Sequence, residues 1–403
     1  MKNDTTGRLR RAFPFRGDRI IWLTVLFFAM ISILVVYSST TALAYRNAST
    51  PFNYMVTQFK YYIYGFCIML ICYRIPLGIY RRIAVTAFYA TILLLTVPII
   101  MHLADPGHSL RSFTVKGFDI QPSEIAKVTV VLYLGRILEK CSFTKTRDFM
   151  LKIVAPIGVL CGLSLIGSAS VVVIICTVSF LILVSYGMPR KYLLMAAGLA
   201  AVAVLAVFSV NKFTGWFSRL DTVEGRVERF FTGEEKEMTE EEREEYEDKI
   251  YQEEQAKKAI QLGRIPRGPG GSIQRDILPN PYDDYAYCII VEEYGLIGAI
   301  GVLMLYIWFF YRCIIIAGSC SRLFSTVTVL GLGLLVLFQA FLHIFVNTGL
   351  IPVTGQNLPM ISKGGSSLIF MSCAFGIILS VNRTSEVIKD KRQKEPEKEG
   401  NND

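Results

Sequence analysis

Long apolar runs separated by short polar and basic segments dominate the chain. They fall near 20–44, 59–77, 83–103, 121–139, 151–167, 169–187, 191–211, 286–316, 323–346 and 366–382. At ~1.5 Å per residue, runs of this length suffice to cross a hydrocarbon core of ~30 Å. The pattern predicts an all-α polytopic membrane protein with about ten transmembrane helices. One large extracytoplasmic loop, 212–285, separates spans seven and eight. The first apolar run is too long for a cleaved signal peptide and no small-residue cleavage site ends it. The expected organisation is a cytoplasmic tail at 1–19, a ten-helix membrane domain at 20–382 and a second cytoplasmic tail at 383–403. Both tails are polar and rich in lysine, so disorder is expected there. Matched broken helices of an inverted-repeat transporter are not evident.

Composition sharpens this picture. Of 403 residues, 52% are hydrophobic and only 19% charged, too little polar surface for a soluble domain of this size. The net charge of +9 is a topological signal and not a nucleic-acid footprint. Lys2, Arg8, Arg10, Arg11, Arg16 and Arg19 precede the first run. Arg74, Arg81 and Arg82 follow the second, Lys140, Lys145 and Arg147 the fourth, Arg190 and Lys191 the sixth, and Arg312 and Arg322 the eighth. The positive-inside rule then places these segments and both termini in the cytoplasm. The nine cysteines form no CxxC or Cys/His cluster, which points to apolar packing roles and not to a metal or disulfide framework. His102, His108 and His343 are scattered. No P-loop or Rossmann fingerprint is present, so no nucleotide cofactor is expected. With no soluble domain, chemistry is expected at the outer face, where the polar segments 104–120, 212–285 and 347–365 converge.

Four groups of residues there suit chemistry. The first is Asp283-Asp284, just ahead of an apolar run that carries Glu292-Glu293. A helix starting near Asp284 would place Glu292 ~12 Å deeper. Two readings fit: an aspartate capping the helix N-terminus, or a partly desolvated carboxylate acting as general base. The second is Gln121-Pro-Ser-Glu-Ile-Ala-Lys127. Ser123 suits a helix cap, and Glu124 and Lys127 share a helix face. They form either a structural ion pair or a cation facing phosphate with its carboxylate support. The third is Arg111 with Lys116, two outer-side cations that are either solvated or phosphate-binding. The fourth is the turn-rich segment 347–365 leading into Ser366 and Ser367, which offers a capped helix entry or an anion site at helix-end amides. In the large loop, 233–258 is dense in Glu with interspersed Lys and Arg and suits a solvated helix. Residues 259–285 are rich in Gly and Pro, and such irregular backbone must lie in water or line a protein cavity.

Taken in order, these motifs resemble one family. Gln121-Pro-Ser-Glu-Ile-Ala-Lys127 is similar to the motif opening the fourth span of the SEDS proteins (shape, elongation, division and sporulation). The run Gly268-Pro-Gly-Gly-Ser-Ile-Gln-Arg-Asp-Ile-Leu-Pro-Asn-Pro-Tyr-Asp-Asp-Tyr285 resembles their large-loop signature. Pro352-Val-Thr-Gly-Gln-Asn-Leu-Pro-Met-Ile-Ser-Lys-Gly-Gly-Ser-Ser367 resembles their C-terminal one. The resemblance covers nearly the whole chain and is nearer the division members than the elongation members. It implies a peptidoglycan glycosyltransferase that polymerises lipid II at the outer face of the inner membrane. It further implies a class B penicillin-binding protein and divisome proteins as partners.

By position, Asp284 matches the family's catalytic aspartate. Arg111, Glu124, Lys127, Gln274, Ser366 and Ser367 are the expected substrate-binding set. Glu292 and Glu293 become internal structure of span eight, and Asp283 a cap or loop residue. In the implied reaction Asp284 deprotonates the acceptor 4-hydroxyl, which attacks C1 of the donor sugar with inversion as the lipid diphosphate leaves. Arg111 and Lys127 would stabilise the leaving charge, with a divalent cation, Mg²⁺ or Mn²⁺, compatible with that chemistry. Several positions depart from the family pattern. Asp283 stands where Thr or Ser is usual, Lys363 where an aromatic or Met is common, Ser112 for Trp and His343 for Asn. Gly167-Ser-Ala-Ser170 replaces a junction that usually carries an acid. Two rival functions use the same residues: a lipid-linked oligosaccharide flippase with an acidic proton relay, and a non-catalytic scaffold for a transpeptidase.

Overall fold

The computed structural model describes residues 17–105, 107–115, 118–143, 145–214, 251–252, 254–278, 280–352 and 354–399. A helix falls on each of the ten expected segments. In chain order they are α1 (Arg19–Ser39), α2 (Thr41–Arg46), α3 (Pro51–Arg74), α4 (Leu77–Ala104) and α5 (Pro122–Lys140). Next, α6 (Thr146–Phe149) passes through a π turn, Met150–Val154, into α7 (Ala155–Gly167). Then come α8 (Ala169–Ser185), α9 (Arg190–Thr214), α10 (Ala286–Gly318), α11 (Leu323–Asn347) and α12 (Ser366–Glu399). Seven of these segments are long and apolar enough to cross a membrane, and α8 is a shorter apolar helix. The polar segment before α5 folds as an antiparallel hairpin of β1 (Phe113–Val115) and β2 (Phe118–Ile120), with Thr114 opposite Asp119.

Helix ends follow local chemistry. The first apolar run breaks at Thr40, whose hydroxyl turns back to the Val36 carbonyl at 2.7 Å, and the chain re-enters as α2. Helix α3 starts earlier than its apolar run, at Pro51, because Thr50 caps it by accepting from the Asn53 amide and proline suits the first helical position.

The centre of the bundle is α5. Nearly its whole length is buried, and it packs against α4, α8 and α11. Gly331 on α11 permits the close approach: a Cβ there would lie 2.5 Å from Val131 and 2.8 Å from Ile182. The surrounding helices turn large apolar side chains outward, among them Leu23, Phe59, Leu93 and Leu194, as a lipid-facing surface requires.

Span eight differs from expectation. Gly295 (φ 67°, ψ −161°) breaks the helical geometry inside α10, a left-handed φ that glycine adopts without a Cβ clash. Residues 286–293 ahead of the break are buried, whereas Leu296 and Ile297 just after it are 68% and 84% exposed. The lipid-facing stripe, Leu296, Ile300, Met304, Ile307 and Trp308, therefore begins at Leu296, not near 286. The residues before it form an inner element enclosed by protein.

Two polar clamps fasten α10 to α1. At one end Asp18 caps α1 by accepting from the Ile20 amide at 2.8 Å and pairs with Arg312, whose Nε lies 3.1 Å away. At the other end Ser38 donates to Glu293.

The C-terminal tail, expected to be disordered from 383, instead continues α12 as far as Glu399. Its Glu, Lys, Arg and Gln residues are good helix formers. The acidic stretch at 233–250, Lys116 and the N-terminal residues 1–16 lie outside the described residues.

Candidate active site

The acidic doublet sits where two loops are tied together. Asn347, at the end of α11, donates to the Asp284 carbonyl at 2.9 Å and accepts from the Cys288 amide at 3.2 Å. Ser362 donates to the Asp283 carbonyl at 2.7 Å, and the Lys363 amide donates to the Tyr282 carbonyl at 2.8 Å. These bonds fix 282–285 against 354–363, and a Cβ built on Gly355 would lie 4.0 Å from Asp284 Oδ1. Beneath the doublet, Leu278, Tyr285, Cys288 and Ile289 pack on Ala256 and Ala259 of a loop helix running through 254–262. A rigid apolar base thus supports two half-buried carboxylates.

The N-cap position of α10 falls just past the doublet. Tyr285 holds the N-cap position without a side-chain cap bond, and the first-turn amide of Cys288 is met by Asn347 from another helix. The capping reading gives way to Asp283 as a loop residue. Burial, together with the neighbouring Asp284 charge, pushes the Asp283 carboxyl up to about 8, while Lys363 and Arg111 pull the other way and Glu124 adds to the rise. The same interactions place Arg111, Glu124 and Lys363 within electrostatic reach of the doublet. Arg46, Tyr54, Asp283 and Asp284 all act on Tyr282, so the outer end of α2 also belongs to this region.

Glu124 and Lys127 are brought together on α5 as their spacing predicts. Lys127 Nζ lies 2.7 Å from Glu124 Oε1 and 2.9 Å from Gln339 Oε1 of α11. Gln339 in turn donates to the Asn357 carbonyl at 3.2 Å, which connects the pair to the loop around Asp284. Lys127 is fully buried, so its ammonium is committed to these two acceptors, and Glu124 Oε2 is a buried oxygen with no hydrogen-bond partner. The cap of α5 is Gln121, with Pro122 at the first helical position. Ser123, expected as the cap, instead lines a recess with Arg111, Pro98, Leu163 and Gly167. Ser170, at the junction that lacks the usual acid, donates to the Thr354 carbonyl at 2.6 Å. A hydroxyl therefore bridges α8 to the loop that packs on the aspartate doublet.

Ser366 and Ser367 open α12 behind Gly364, where a Cβ would lie 3.6 Å from both Asn357 Nδ2 and Ser367. Gln274 is anchored through its backbone. It sits in a short 3-10 turn whose amides at Ile273 and Gln274 donate to Glu292 at 2.9 and 3.3 Å, while Ser272 adds a third bond at 2.5 Å and Arg267 a longer ion pair at 3.7 Å. Glu293 is held by Ser38. The two glutamates thus lash the glycine-rich loop onto the inner element of α10, an internal structural role, and Gln274 belongs to that lashing.

Lys363, Tyr54, Arg46, Asn347 and Gln339 were not singled out for the site from sequence. Lys363 carried a usable signal, since it departs from the family pattern within a matched motif. The others lie on separate helices whose convergence is set by packing.

Among the described residues no group of three or more His, Cys, Asp or Glu side chains is placed to hold a metal ion. The aspartate doublet with Glu124 offers hard oxygen donors of the kind Mg²⁺ takes, but they are not gathered as a cage.

The chain is similar to known proteins over nearly its whole length. The chain is 28% identical over 392 residues to the probable peptidoglycan glycosyltransferase FtsW of Thioalkalivibrio sulfidiphilus, covering 94% of this chain and 93% of that one. It is 29% identical over 381 residues to the protein of the same description from Bacillus subtilis, covering 90% of each. Its fold matches a chain from a peptidoglycan synthase complex that coordinates polymerization and crosslinking, with a TM-score of 0.73 at 21% identity, covering 92% of this chain and 98% of that one. The rod shape determining protein RodA of Thermus thermophilus matches over the same shares with a TM-score of 0.65, also at 21% identity. The FtsW, RodA and SpoVE model, described as cell cycle protein, matches residues 18–387, and the chain is a multi-pass membrane protein belonging to that family.

Proposed function

We propose that this protein is a peptidoglycan glycosyltransferase that polymerises lipid II into glycan strands at the outer face of the cytoplasmic membrane during cell division. The observation that carries the reading is the pinned aspartate doublet. Asp284 is held through its carbonyl by Asn347, half-buried, beside a second carboxylate and within reach of Arg111, Lys363 and Glu124.

In this reading Asp284 takes the proton of the acceptor 4-hydroxyl as that oxygen attacks C1 of the donor sugar. The donor C1–oxygen bond breaks, the configuration inverts and the lipid diphosphate leaves. Positive charge near the leaving group lowers the barrier, and Arg111 is the cation best placed to supply it. Lys127 contributes indirectly, because its ammonium fixes Glu124 and leaves Glu124 Oε2 as an acceptor. A divalent cation, Mg²⁺ or Mn²⁺, would add charge neutralisation when bound, with the aspartate doublet as its nearest oxygen donors. Substrates whose polyprenyl chains stay in the bilayer suit an enzyme with a buried polar site in a helical bundle. A class B penicillin-binding protein is the proposed partner, in keeping with the synthase complex that shares this fold, and divisome proteins are proposed to assemble around the pair. The termini are proposed to lie in the cytoplasm, following the basic segments.

The test is turnover by the purified full-length protein given lipid II, with and without a cognate class B penicillin-binding protein. Wild type is expected to make glycan strands and Asp284→Asn to lose at least ~100-fold, the lower range for removing a general base. Equal polymer yield from Asp284→Asn would refute the assignment of the base. Lipid translocation without polymer would favour transport.

A further inference from the structure

Two departures from the family pattern, Asp283 and Lys363, meet in space although 80 positions separate them in the chain. Lys363 is half-buried, with its Nζ 4.3 Å from the ring centroid of Tyr282 and 4.8 Å from that of Tyr54. Its backbone amide is fastened to Tyr282, so the ammonium is held by aromatic faces on one side and its own loop on the other. Cation–π contacts of this kind satisfy charge without using the N–H donors. Among the described residues the Lys363 ammonium makes no hydrogen bond or ion pair of 4 Å or less, and Asp283 Oδ1 is buried with no hydrogen-bond partner. Burial lowers the lysine's proton affinity and Asp283 partly restores it. A half-buried ammonium with three unused donors, steadied by two rings and set next to the catalytic-side loop, is an anion site. Arg111 and Arg46 add positive potential around the same segment, which suits an anion of more than one charge.

We propose that Lys363, seated between Tyr54 and Tyr282 and backed by Asp283, binds the diphosphate of the prenyl-linked substrate or leaving group. This rests on the glycosyltransferase reading for its choice of anion. Asp283 acts as a positioning residue, since it interacts electrostatically with Lys363 and, when ionised, competes with an anion for the ammonium. The usual aromatic or Met at position 363 offers no ammonium, so this chain would take its diphosphate with an additional direct contact.

The experiment is calorimetric titration of the detergent-purified full chain with geranyl diphosphate, with geraniol as the uncharged control. Wild type is expected to bind the diphosphate and not the alcohol. Lys363→Met is expected to weaken binding about tenfold, Lys363→Arg to stay within about threefold of wild type, and Asp283→Ser to bind at least as tightly as wild type. Should Lys363→Met not fold, Lys363→Gln replaces it with the same expected loss. Diphosphate affinity unchanged by either neutral substitution, or absent from wild type, overturns the proposal. Lipid II polymerisation by the same preparations separates the two readings. Polymer from wild type with Lys363-independent binding sinks this inference alone. Lys363-dependent binding without polymer under any partner condition sinks the glycosyltransferase reading and leaves the anion site standing.

Discussion

The buried Glu124–Lys127 pair makes a prediction whose sign pattern is decisive. The two charges lie 2.7 Å apart, and their attraction at an effective dielectric near 20 is about 6 kcal/mol. Desolvating each ion costs several kcal/mol, so the pair as a whole contributes little net stability. The singles are different. Glu124→Gln leaves a fully buried ammonium with Gln339 as its main acceptor, and Lys127→Met leaves a buried carboxylate with no cation. Removing one partner of such a pair costs roughly 3–5 kcal/mol. The double variant Glu124→Gln/Lys127→Met removes both charges and should cost clearly less than the sum of the singles, with a coupling of at least ~2 kcal/mol. The assay is thermal unfolding of the four proteins in one detergent, followed by intrinsic fluorescence. Both singles should melt well below wild type, and the double should recover part of that loss. A double variant whose midpoint falls by the sum of the single shifts would refute the claim that these side chains are a desolvated pair.

Asp283 gives a pH signature. Its folded-state value of about 8 lies above the model-peptide value of 3.8, so the folded protein binds this proton more tightly than the unfolded chain. The associated stability is fully present below about pH 4 and is lost as pH rises through about 8. Melting midpoints of Asp283→Asn should therefore gain on wild type between pH 6 and 9, and parallel curves would show that Asp283 is not held protonated. Asn347→Ala removes the bonds to the Asp284 carbonyl and the Cys288 amide. It should destabilise by about 1–3 kcal/mol and lower the turnover number more than it changes the apparent affinity for lipid II, measured by initial rates. An affinity effect with turnover intact would assign Asn347 to binding instead of positioning.

Much of this architecture was legible from residue order. The apolar runs marked the helices because lipid demands contiguous apolar length, and Glu124 and Lys127 marked their contact because a helix places positions three apart on one face. The start of span eight was not legible. Residues 286–291 are as apolar as a span, and only the tertiary cover of 263–276 reveals that they are enclosed by protein. Glycine at 295 was a weak signal, since glycine inside an apolar run often continues the helix. The backbone contact of Gln274 was not legible either: its loop motif runs without a gap into the aspartate doublet, yet the chain turns at 274–276 and the Gln274 amide donates to Glu292. Lys363 and Tyr54 meet because α3 and α12 pack side by side, a relation between segments some 300 residues apart that no local pattern encodes.

The clamps at the ends of α1 have a geometric consequence. Asp18 and Ser38 are 20 positions apart along one helix, which at 1.5 Å per residue is about 30 Å, the thickness of the hydrocarbon core itself. Their partners on α10, Arg312 and Glu293, run antiparallel at matching separation. The two helices are therefore tied together at two heights, one on each side of the Gly295 break. The glycine-rich loop held by Glu292 is thereby joined through the neighbouring Glu293 and Ser38 to α1, so a tilt of α1 carries that loop with it.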